Sequence, residues 1–493
     1  GESALDASVS GGNNTAIGNQ ALTTTTDGYR NTAVGRIAMQ LNTSGFDNVA
    51  IGEQALYSNT TAGNNTAIGR NALGGNTTGT QNVAVGTYSL DANTTGSRNI
   101  GIGYSALGAN TTADGNVAIG DNSLQVNTTG AWNVAIGRSA LNANTTAADN
   151  VAVGGQTLLV NTTGTDNVAV GMQALNANTT ASSNTAVGNV ALLVNTTGAY
   201  NVAIGGEALM DNTTAANNVA VGWRSLFNNT TGTANVSIGT SALATNTTAN
   251  NNTAVGHLAL NANTTGVSSI AVGAYALDEN TTGDYNNALG RSALTANTTG
   301  AYNVAVGFES LKSNTTASGN TACGHQTLET NTTGAYNCAF GLNALTGNTT
   351  ASSNAAFGYA ALTDNSTGEY NTAVGKDALE KNTTASHNTA VGYIALEDNT
   401  TGTGCIALGS HALKNNTTGD QNVGLGNDSL GANTTGGQNV AVGHQALNAS
   451  TTGSNNVAVG YQALDSNTTG GMNVAVGQTA MSSHTTGNYN TAV

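Results

Sequence analysis

Cys323, Cys338 and Cys405 could form a disulfide or act as nucleophiles, and His257, His325 and His444 could ligate a metal or move protons. Their spacing argues against each of these. The cysteines stand at positions 4, 2 and 1 of different copies of a 17-residue phrase, the first two where other copies carry an aliphatic side chain. They are expected to pack as small apolar residues, with Cys323 and Cys338 near or beyond disulfide reach. The histidines share position 6 but lie at least four copies apart, roughly 19 Å at about 4.8 Å per layer, which is too far for one metal ion. No Ser-His-Asp set, close carboxylate pair or phosphate loop recurs, and the abundant glycine is a repeat residue rather than a GxGxxG fingerprint. Calcium-binding nonapeptides need a regular Asp where this chain has Asn-Thr-Thr. The expectation is no catalytic, cofactor-binding or metal-binding residues, and a protein that is not an enzyme. The Asn-Thr-Thr triplets formally match N-glycosylation acceptors in most copies. Glycans on layers about 4.8 Å apart would collide, so ladders of Asn and Thr hydrogen bonds are the expected use.

The elements that position these residues follow from the repeat. Asn65-Thr66-Ala67-Ile68-Gly69 returns as Asn82-Val83-Ala84-Val85-Gly86, and copies begin at Asn14, Asn31, Asn48 and every 17 residues to Asn490, with no insertion or deletion. Fixed self-similarity at a short period marks a stacked-repeat architecture. The fold predicted is all-β, a parallel β-roll or β-solenoid of 17-residue coils. About 29 coils in one continuous domain, 1–493, would make an elongated rod roughly 140 Å long.

Position 3 is Ala almost throughout, position 5 is always Gly, and position 9 is Leu except at Met39 and Met481. Alternation over positions 1–5 predicts a short strand with 2 and 4 on one face and 1, 3 and 5 on the other. Positions 2 and 4 are assigned to the interior, giving a core ladder of Val83, Val85, Leu73, Leu90 and Leu107. Phe340 and Phe357 join it, because position 2 shrinks to Cys338 and Ala355 where position 4 enlarges, as expected for side chains filling one volume. A second extended segment is expected around positions 7–10, and a turn at 12–15 whose Asn and Gly take left-handed angles. Every Lys and Arg falls at position 6, 7, 10, 11 or 17, which marks the solvent side.

Position 15 alternates Gly and Ala from Gly96 to Gly266, and the Gly copies tend to end in an aromatic: Trp132, Tyr200, Tyr285, Tyr302, Tyr336, Tyr370, Tyr489. Three readings stay open. The alternation could reflect duplication of a 34-residue unit or avoidance of bulky rings at every layer, or it could build an exposed aromatic row for contacting saccharide or a neighbouring fibre.

The 493 residues carry a net charge of −15 with only 8% charged residues, 65 Gly and no Pro. The acidic balance argues against nucleic acid or an anionic membrane surface as partner. No apolar run reaches the 18 or so residues of a membrane span, and residues 1–30 lack a basic-then-apolar leader. Val493 followed by Gly1 would continue the phrase in phase, so the chain is expected to be a segment of a longer fibre. Each coil offers only about three sizeable apolar side chains, so backbone ladders and small-residue packing must carry much of its stability, and a second buried surface would help. The small-residue face of positions 1, 3 and 5 is the expected surface for self-association.

The phrase Asn456-Val457-Ala458-Val459-Gly460-Tyr461-Gln462-Ala463-Leu464 resembles the head repeats of YadA-like trimeric autotransporter adhesins, and equally those of related bacterial and phage tail-fibre proteins. The resemblance covers essentially the whole chain, with Asn-Thr-Thr-Gly as an added part of each repeat. It implies a left-handed parallel β-roll, a homotrimer, and an extracellular fibre or adhesin shaft on a cell or virion surface. Such a shaft would offer many equivalent contacts to saccharide or to a host extracellular-matrix ligand. Two alternatives remain: a single-chain β-solenoid that polymerises end to end, and ice binding through Thr rows such as Thr77-Thr78 and Thr94-Thr95.

Overall fold

The computed structural model describes residues 1–7 and 10–493. Each copy contributes one short strand, and the chain divides into two compact units, 1–249 and 250–493. In the first unit, strands β1 (Thr15–Ile17) to β14 (Val236–Ile238) pair in parallel, each with the next. Strands β15 (Thr253–Val255) to β29 (Thr491–Ala492) do the same in the second. Register never slips: Ala16 lies opposite Ala33, Ala84 opposite Gly101, and Ala458 opposite Ala475. The predicted parallel β-solenoid of 17-residue coils is therefore the observed fold.

Positions 1, 3, 8, 9, 12 and 15 build the interior. Leu73, Leu90 and Leu107 are fully buried, as are Ala67 and Ala72 from positions 3 and 8. The assignment of positions 2 and 4 to this interior is corrected. Val83 and Val85 are only half-buried, Phe340 and Phe357 are each 38% exposed, and all four face away from the coil's inside. The period of two was right and its sense was inverted. A coil this narrow admits only small side chains from the strand. At Gly101 even a Cβ would come within 2.6 Å of Ser89 Oγ, and at Gly424 within 2.9 Å of Ser429 Oγ. Inside the coil it is positions 3 and 8 that adjoin, as where Ser225 Oγ donates to Ser237 Oγ at 2.7 Å. The small-residue face expected to mediate self-association is thus already used within each chain.

Among the described residues, positions 7–10 form no second strand. Asn71 and Leu73 have φ of 56° and 52°, and left-handed angles recur at positions 7 and 9 of the other copies. Each such non-glycine residue costs about 1–2 kcal/mol. At position 9 this is offset by complete burial of the Leu side chain, about 1.5–3 kcal/mol, and by an amide bond to the next layer, Leu73 N–H to Ser89 O at 2.9 Å. Among the described residues, positions 12–15 do not take left-handed angles. The bends are made at 5, 7, 9 and 17, as at Gly69 with φ 136° and Gln81 with φ 60°. A Cβ on Gly69 would press on the Gly86 carbonyl of the next layer, which explains why position 5 admits no side chain.

Two buried asparagine ladders tie the layers together. At position 12, Asn76 Nδ2 donates to Asn59 Oδ1 at 3.1 Å and to the Gly79 carbonyl at 3.0 Å. At position 1, the Asn65 amide donates to Asn48 Oδ1 and its Nδ2 donates to Gly79 O, both at 2.9 Å. The Thr77 hydroxyl donates to Thr94 O at 3.0 Å. Asn76 is fully buried with Nδ2 doubly bonded, so the sequon nitrogen has no access to a sugar in the folded coil.

Candidate functional site

Large apolar side chains left outside fall into rows. They stand at position 4 (Ile204, Phe340), position 2 (Val168, Ile406), position 6 (Tyr104, Trp223, Tyr461) and position 17, with few exceptions such as Tyr29 at position 16 and Val160 at position 11. Position 17 of one copy runs directly into positions 1–6 of the next. The rows therefore join into one band in each unit, a strand face two side chains wide bordered by row 17 and row 6. Position 4 is apolar in every copy, and neither strand row carries a charge.

All seven aromatics expected in an exposed row, Trp132, Tyr200, Tyr285, Tyr302, Tyr336, Tyr370 and Tyr489, lie in row 17, with exposures from 47% at Tyr285 to 76% at Tyr489. Tyr285 stacks on Tyr302 with centroids 5.2 Å apart, and Tyr370 on His387 at 5.1 Å. On the strand face Phe340 stacks on Phe357 at 5.3 Å.

Row 6 is a second aromatic border that sequence reasoning missed, because its charges marked it only as the solvent side. Phe308 stacks on His325 at 5.1 Å and His444 on Tyr461 at 5.5 Å. Lys376 Nζ sits 5.4 Å from the Tyr359 ring and 5.5 Å from that of Tyr393, and Arg291 lies 5.8 Å from Phe308. The signal was present in the recurrence of His, Tyr, Phe and Trp at one position. His257 meets Tyr275 edge-on at 5.4 Å, so the three histidines serve as ring partners within the row-6 border and its neighbours.

Cys323 and Cys338 were expected among buried aliphatics. Since positions 2 and 4 face outward, both lie half-buried and unbonded on the strand face of adjoining coils. Cys405 is fully buried in the position-1 ladder, where its amide donates to Asn388 Oδ1 at 2.8 Å. Burial pushes its thiol up to about 11, which keeps it protonated and unreactive near neutral pH. Away from the band, row 10 carries Asp91, Asp278, Glu380 and Asp465, whose carboxyls are pushed up chiefly by desolvation. Chemically the band can bury apolar area, stack rings and pair charges at its borders. No model of a known protein family matches the chain, and no curated protein matches it.

Proposed function

We propose that this band is an assembly face through which three copies of the chain associate side by side, forming the structural shaft of an extracellular fibre or adhesin. The observation that carries the reading is the confinement of nearly all exposed large apolar side chains to one uncharged strand face and its two aromatic borders. Contiguous exposed apolar surface on this scale marks an interaction site, and enrichment in aromatics, Met and Arg is typical of one. The occupant must match a period of one layer over coil after coil, and another copy of the same chain does so without adjustment. Association supplies the second buried surface that small single coils lack. The mainly polar rows at positions 10, 11, 13, 14 and 16 remain outside, where repetition makes weak contacts with a surface additive in effect.

Sedimentation velocity tests the reading. The chain should sediment at three times its 48.7 kDa mass, and the double variant Ile204→Asp/Val221→Asp should sediment as a folded monomer, because an unpaired buried carboxylate costs several kcal/mol. A wild-type chain that stays monomeric would overturn it.

A further inference from the structure

Ion pairs hold seven of the eleven cations. Arg70 and Arg291 lie over the Tyr88 and Phe308 rings. Arg138, in row 6, has no side-chain partner among the described residues, and neither does Asp149, which belongs to the same copy but stands in row 17. An unpaired cation and an unpaired anion thus occupy opposite borders of the proposed assembly face, with the strand face between them.

We infer that neighbouring chains meet border to border, row 6 of one against row 17 of the next, without axial slip, and that Arg138 pairs with Asp149 across the junction. The inference rests on the band being an assembly face. Parallel copies arranged about an axis along the coil stack make a heterologous contact, so unlike borders meet, and a ring closes only when the axial shift is zero. At zero shift each position-6 side chain lies in height between two position-17 residues of its neighbour, the one ending the preceding copy and the one ending its own. Arg138 then lies between Trp132 and Asp149, Arg291 between Tyr285 and Tyr302, Lys376 between Tyr370 and His387, and Arg70 between Asn64 and Gln81. Arg36 faces Arg30 and Asp47, which are already paired with each other at 2.7 Å. Each row-6 cation thereby gains a ring, a carboxylate or an amide.

Slipped arrangements bring further like charges together or remove partners; the one-coil shift that keeps Asp149 beside Arg138 does so with Arg70 set against Arg98, and ring closure excludes it. A shift of two coils in one direction sets Arg138 against Arg98, and in the other it sets Arg70 against Arg98. A one-coil shift either sets Arg70 against Arg98 or leaves Arg36 facing Arg30 without Asp47, and the second of these also removes Asp149 from Arg138. Like-charge juxtaposition of this kind selects register.

Disulfide trapping tests the contact in the full chain, in a background of Cys323→Val, Cys338→Ala and Cys405→Asn, residues that other copies carry at those positions. Under mild oxidant, Arg138→Cys/Asp149→Cys should give a covalent trimer on a non-reducing gel, and neither single variant should cross-link. A covalent dimer from either single variant would mean that like borders meet and would overturn the inference. So would cross-linking of Arg138→Cys/Ser183→Cys, which reports a two-coil slip, in place of the same-copy pair. A chain that sediments as a trimer yet gives no cross-link in the same-copy pair would remove the border contact and leave the assembly face standing. A monomer in sedimentation would remove both.

Discussion

Ser450 interrupts the buried asparagine ladder at position 12, and the damage is visible in its neighbours. Asn416 Oδ1 receives the Nδ2 of Asn433 at 2.7 Å, but Asn433 Oδ1, Ser450 Oγ and Asn467 Oδ1 are buried without partners. A hydroxyl is too short to reach both layers, and His484 breaks the ladder again one copy beyond Asn467. A buried acceptor without a donor costs about 1–3 kcal/mol. Ser450→Asn should therefore stabilise the surrounding coils by about that amount, read as slower native-state hydrogen exchange at the amides of residues 433–467. Unchanged exchange would contradict the ladder's energetic role. The ladder was legible in sequence from the Asn spacing alone. Its burial was not, because a polar residue in every copy reads as surface until the interlayer bonds that satisfy it are known.

At the scale of one coil, the strand was legible and the sense of the strand was not. Alternation gave the period, but both faces are apolar, Val and Ile on one side and Ala on the other, and the charged positions exclude only 6, 7, 10, 11, 14, 16 and 17. The larger side chains were assigned inward, and the narrow coil reverses that. The bends at 7 and 9 were hidden for a different reason: Leu rarely adopts a left-handed angle, and only the interlayer bond and the buried side chain make it tolerable. The alternation at position 15 has a physical cause in the same stacking. A Cβ on Gly130 would run into the Ala147 carbonyl of the next layer and into Asn127 Oδ1, and no two successive copies carry Ala there. A coil with Ala needs neighbours that give way. Gly130→Ala, flanked by Ala113 and Ala147, should destabilise by about 1–3 kcal/mol through overpacking. Gly283→Ala, flanked by Gly266 and Gly300, should cost less. Urea unfolding of the two variants side by side checks the difference, and equal losses would detach the alternation from the packing between layers.

For the molecule as a whole, the repeat made the architecture readable, while the band required coordinates, since it joins positions from both ends of the phrase. One sequence feature did anticipate it under the wrong heading. Position 2 shrinks to Cys338 and Ala355 where position 4 enlarges to Phe340 and Phe357. Those side chains face outward, and a face in contact with water places no limit on their summed volume. A limit on their summed volume at these two copies is what the proposed assembly face, packed to interior density, would impose. Cys338→Ile beside Phe340 separates the two cases. In the wild-type background it should overfill the junction and weaken the assembly by about 1–3 kcal/mol per chain, lowering the thermal midpoint of the oligomer. In the Ile204→Asp/Val221→Asp background, where chains stay apart, the same change adds a methyl-bearing side chain to an open strand face and should shift the midpoint little. Equal shifts in both backgrounds would place the volume constraint inside the single chain and remove it as support for the assembly face.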